Sequence, residues 1–206
     1  MSSPQRSSPQ RLSSDRPAVI KPAYWLVLVL RAVPAVVVGL VITFTEDHSP
    51  RVGLVAFGVF AVVTGAILLL GTLRTVVDRV IRGVLTTQAI ITLAAGIAAL
   101  LLRGSGIGIL LFIVTVFAAL TGMLELYAGL RSRGAAPSRD WLAVGAYTAV
   151  AALVFVLIPA DPILATGLIG AYGIILGVFL LIAGLSLKWG SDKPGASDPV
   201  EGKVSP

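Results

Sequence analysis

Six long apolar runs, at residues 24–44, 52–73, 84–102, 107–130, 141–158 and 163–187, take up most of the sequence. Each is close to the ~20 residues with which a helix crosses a hydrocarbon core about 30 Å thick. Lipid offers backbone groups no hydrogen-bond partners, so a span has to satisfy its own, and the helix does this within one segment. The runs are continuously apolar, without the in/out alternation of a barrel strand. They therefore predict an all-α membrane protein with six transmembrane helices. Composition agrees: of 206 residues, 56% are hydrophobic and 13% charged, too few charges to coat a soluble domain.

The polar segments order the rest. Residues 1–22, "MSSPQRSSPQRLSSDRPAVIKP", hold little that can be buried and are expected to form a disordered tail rather than a cleaved signal peptide. Residues 189–206 are expected to form a second tail, leaving 23–188 as the membrane domain. The net charge of +6 sits between apolar runs, which points to membrane orientation rather than nucleic acid. Arg6, Arg11, Arg16, Lys21, Arg74, Arg79, Arg82, Arg131, Arg133, Arg139, Lys188, Lys193 and Lys203 fall on one side, and only Arg51 and Arg103 on the other. The positive-inside rule then predicts a multi-pass protein of a plasma membrane with both termini in the cytoplasm. Trp25, Trp141 and Trp189 lie at the expected cytoplasmic helix ends, where amphipathic rings prefer to sit.

The second, fourth and sixth runs repeat one pattern: "VVTGAILLLGTLR", "ALTGMLELYAGLR" and "IILGVFLLIAGLSLK". Aligned on Gly65, Gly122 and Gly177, they are spaced by 57 and 55 residues, one helical hairpin each. Seven residues earlier stand Gly58, Thr115 and Gly170; seven later stand Thr72, Gly129 and Gly184. Seven residues is about two helical turns, so these small residues form a stripe along each helix. Apolar surface gives helices little reason to associate in lipid, and small residues let backbones approach and gain dispersion contact instead. The pattern predicts three parallel hairpin repeats, at about 24–74, 79–131 and 139–188. Gly39, Gly96 and Ala151 occupy the matching small position of the first helices, and Pro50 and Pro162 the outer turns.

Two ionisable residues lie inside the runs. Arg31 is roughly 9 Å into the first helix, and Glu125 is at a similar depth in the fourth. Gln88 takes the place of Arg31 in the second repeat. Charge at membrane depth is costly and asks for a partner. Three readings follow: an Arg31–Glu125–Gln88 cluster, separate snorkelling to the interface, or handling of a substrate or proton. His48, in the outer turn "TEDHSPR", titrates in a range suited to an external pH-responsive residue or is simply a solvated loop histidine. "RGSGIG" at 103–108 lacks the P-loop pattern and reads as a tight turn. With no cysteine and one histidine, thiolate and multi-histidine metal sites are excluded, no cofactor is implied, and no catalytic set is visible.

Three hairpins with a mid-helix glycine, proline-bearing outer turns and second helices ending in "G…LR" resemble the HdeD-like acid-resistance membrane proteins. The resemblance spans about 25–188; Ile107 departs from it where the other repeats have proline. It implies an inner-membrane protein of stress-related or membrane-organising role, associated in some enterobacterial members with survival of acid, and it supplies no catalytic residues. The alternatives are a small transporter or channel subunit, its pore lying between copies in a homo-oligomer, and an adaptor that recruits a partner through its tails. The expected partners are the bilayer itself and anionic lipid at the base-rich face.

Overall fold

A computed structural model of the protein describes residues 19–135 and 137–191. The expected tails lie outside the described residues except for 19–22 and 189–191, and Arg6, Arg11, Arg16, Lys193 and Lys203 lie outside with them. The chain forms six helices: α1 (Tyr24–Phe44), α2 (Pro50–Thr75), α3 (Arg79–Leu101), α4 (Ile107–Arg131), α5 (Ser138–Leu157) and α6 (Pro162–Ser191). Each contains a stretch long and apolar enough to cross a membrane. No strand forms among the described residues; Ile20 and Val76 make one isolated bridge.

Most helices run past the apolar runs that announce them, because polar residues close their ends. Ser49 caps α2 by accepting from the Val52 N–H at 3.5 Å, with Pro50 following where no N–H is needed. Asp78 caps α3 through Ile81 N at 2.9 Å. Asp161 does the same for α6 through Leu164 N at 2.7 Å, ahead of Pro162. The α4 start, with Gly106 and Ile107 in place of such a pair, has no side-chain cap. Residues 102–106 form the tight turn expected there. Residues on either side of 23–188 join the helical bundle. Val19 O accepts from Val77 N at 2.9 Å and Lys21 N donates to Thr75 O at 2.8 Å, pinning 19–21 to the α2–α3 connection. At the other end α6 continues to Ser191.

The closest packing pairs α2 with α3, α4 with α5 and α6 with α1, all antiparallel. The glycine stripes make these contacts. A Cβ on Gly58 would meet Leu100 and Gly96 O, and one on Gly65 would meet Leu93 and Ala89 O. Gly122 faces Ala149 and Gly145 O, and Gly129 faces Leu142. Gly170 faces Ile42, Gly177 faces Val36 and Ala32 O, and Gly184 faces Val29 and Trp25 O. Thr115 is half-buried on α4, and Thr72 is fully buried on α2. The tightest interfaces therefore lie between the expected hairpins, not within them. Contacts of α1 with α2 and α3 with α4 are looser, and those of α5 with α6 looser still. Large apolar side chains such as Leu40, Ile97, Phe112 and Leu153 cover the outside, as a lipid-facing surface requires.

Lys188 Nζ stands 4.9 Å from the centre of the Trp25 ring, so the start of α1 and the end of α6 share one end of the bundle. Residues 76–78, 132–135 and 137 lie at that end too, since the helices alternate in direction. Trp141 stands in the first turn of α5, packed inside that end of the bundle rather than facing outward. It is buried, donates from Nε1 to Tyr24 Oη at 2.9 Å, and meets that ring edge-on at 5.9 Å. An indole whose N–H finds a partner inside gains more from packing than from the interface.

Candidate functional site

Arg31, Gln88 and Glu125 come from α1, α3 and α4, helices that share no glycine seam with one another. All three side chains are buried, at 6%, 2% and 2% exposure. They converge on one atom. Glu125 Oε1 accepts from Arg31 Nη2 at 3.1 Å and from Gln88 Nε2 at 2.7 Å. The structure brings the three together, and neither charge reaches for the interface. The contact suits the physics, because a carboxylate opposite a guanidinium leaves a neutral unit in a medium that penalises net charge.

Around this triad lies a ring of polar side chains that the sequence reading missed: Thr64, Thr92, Thr121, Thr148 and Tyr172. Thr92 and Thr121 donate to carbonyls of their own helices, Gln88 O at 2.8 Å and Phe117 O at 2.7 Å. The Thr148 and Tyr172 hydroxyls are 3.1 Å apart, tying α5 to α6, and Tyr147 stacks on Tyr172 with centroids 5.3 Å apart. Thr64 and Thr121 had a signal in the sequence. Each immediately precedes a stripe glycine, in "VVTGA" and "ALTGM", and so shares a helix face next to the seam. Leu176 fills the third equivalent place. Among the described residues Arg31 Nε, Gln88 Oε1 and Thr64 Oγ1 have no hydrogen-bond partner. The chamber among these side chains is about 10 Å³, room for one water molecule at most.

The chamber is closed along the bundle axis on one side. Toward the other end of the bundle stand Phe57, Phe60, Phe117 and Phe155, with Val38, Val114 and Ile169, enclosing only another ~10 Å³ void. Phe57 meets Phe117 edge-on at 5.1 Å. The bundle axis is thus divided into a polar half and an aromatic half. What the arrangement can do chemically is limited: it can bind three helices at one oxygen and hold one water-sized polar molecule. No group of three or more His, Asp or Glu side chains placed to hold a metal forms among the described residues.

His48 is not brought to this site. It stands half-buried in the α1–α2 connection, its Nδ1 3.2 Å from Glu46 O, and its backbone carbonyl accepts from Thr166 Oγ1 at 3.3 Å. The neighbouring Asp47 carboxylate is engaged by Ser49 N at 2.8 Å and Ser49 Oγ at 3.2 Å. The histidine thus marks where the outer turn docks on α6.

Six membrane-length apolar helices around a buried polar triad define the class of a multi-pass membrane protein. No protein-family model, curated protein or solved structure matches the chain.

Proposed function

We propose that the protein is a plasma-membrane protein of the HdeD-like kind, built from three hairpin repeats with both termini in the cytoplasm, and that its role is stress-related or membrane-organising rather than enzymatic. The likeness to that family rests on the sequence pattern. The repeat reading is supported by the recurrence of one contact, each even-numbered helix seating its glycine stripe on the next odd-numbered helix, with α6 returning to α1. The orientation is supported by the concentration of bases at the end where α1 begins and α6 finishes.

The observation that carries a structural role over transport is the aromatic half of the axis, packed around a void of only about 10 Å³. Four phenylalanines close one half, and the charged side chains in the other half neutralise each other. A second reading, proton-coupled transport, draws on the buried carboxylate and on the three unpartnered polar atoms beside it. The two separate cleanly in liposomes that carry the purified protein and a pH-sensitive dye. A structural role predicts that a pH step relaxes no faster than in protein-free vesicles. Fast relaxation that Glu125→Gln abolishes would replace the structural reading with the transport one.

A further inference from the structure

The α1–α2 flank is open because the glycine seam of α1 goes to α6 and leaves its contact with α2 loose. Two grooves result. One, of about 510 Å³, has valine walls and carries both Asp47 and Arg51. The other, of about 430 Å³, lies at the base-rich end. Its apolar walls include Leu26 and Leu30 of α1 and Ile67 and Leu70 of α2, while Lys21 and Arg74 stand among its lining with no acidic residue. Leu26, Leu30 and Leu70 are each about half exposed. Ile67 and Arg74 are seven residues apart, so the groove runs about 10 Å along the helix. That fits within one leaflet, roughly half of a ~30 Å core.

Among the described residues neither base forms an ion pair, the one found being Arg31–Glu125. The Lys21 backbone N–H is fixed to Thr75 O at 2.8 Å, beside the end of α2. Arg82, by contrast, is engaged, donating from Nε and Nη2 to Val76 O at 2.8 and 2.6 Å. The geometry points to a binding site for one anionic phospholipid: an acyl chain lies between α1 and α2, and its headgroup phosphate is held by Lys21 and Arg74. The opposite groove, with one charge of each sign, has no such preference. The inference rests on the membrane reading alone, and not on the family likeness, the repeat or the orientation.

The test uses the full chain in detergent micelles, followed by native mass spectrometry during titration with phosphatidylglycerol or with phosphatidylcholine of the same chains. The first phosphatidylglycerol is expected to bind at least about tenfold more tightly. Lys21→Ala with Arg74→Ala removes that preference, and Arg131→Ala with Arg133→Ala, on exposed bases of the same end, keeps it. Leu70→Trp, which fills the groove and leaves both bases in place, weakens binding of both lipids. Equal loss from the two arginine-bearing pairs would mean diffuse surface attraction and overturn the site. So would lipid binding that ignores Leu70→Trp, binding that inorganic phosphate abolishes by competition, or a groove occupied by a second copy and seen as a dimer that Leu70→Trp dissociates.

Discussion

Glu125 is the residue on which the interior depends most. One of its oxygens joins α1, α3 and α4, and removing it leaves Arg31 buried without a counter-charge. Glu125→Ala is expected to destabilise the protein by about 3–5 kcal/mol. Arg31→Met combined with Glu125→Met should cost clearly less than the sum of the single exchanges, because no charge is then stranded. Unfolding of the four proteins in one detergent measures the cycle, and additive losses would show the two groups to be uncoupled. The triad was among the readings the sequence offered, since charge inside a span demands a partner and the repeat put Gln88 in the place of Arg31. The threonine ring was legible only in part. Threonine is tolerated in a membrane helix by bonding its own backbone, as Thr92 and Thr121 do, so its presence does not by itself announce a site.

At the scale of the helix, the glycines of the close helix contacts are set apart from exposed glycines such as Gly83 by what a methyl group would strike. A Cβ on Gly96 would come within 2.7 Å of Val62 N and 2.9 Å of Gly58 O, both backbone atoms that move only with a helix. One on Gly145 would come within 2.6 Å of Leu126 N. Gly83, inside α3, has nothing within 4 Å. Gly96→Ala is therefore expected to cost about 1–3 kcal/mol by overpacking. Gly83→Ala should be neutral or stabilising by roughly 0.4–1 kcal/mol, since it only restricts the unfolded chain. Thermal unfolding in detergent distinguishes them, and equal shifts would mean that the stripe carries no special packing. The sequence marked Gly39, Gly96 and Ala151 only as matching small positions of the first helices; in the structure Gly39 meets Gly170 and Ile174, and Gly96 meets Gly58 and Val62.

The whole molecule turns on alternation. Six spans put the described ends of the chain on one face, with the connection at 102–106 on the other. Because the chain has no cysteine, single substitutions report cleanly. Gly104→Cys should react with an impermeant maleimide on intact cells, and Arg133→Cys only after lysis. Labelling of both from outside would contradict the six-span arrangement, and the reverse pattern would invert the orientation proposed from the bases. Trp141 belongs to this scale as well. It stands at a helix end, as read from the sequence, and there Tyr24 of α1 gives its N–H a buried partner.

Continuous apolarity by itself determined that the chain is helical and that it has six runs long enough to span, because lipid leaves backbone groups no other satisfaction; that its two internal charges meet was one of three readings until the fold brought them together. Only the tertiary structure decided which helices meet. The seams join neighbours across the expected hairpins rather than within them, one half of the axis fills with phenylalanine, and the α1–α2 flank is left open. Those choices depend on how close two particular backbones can come, a property of paired surfaces that no single run of residues contains.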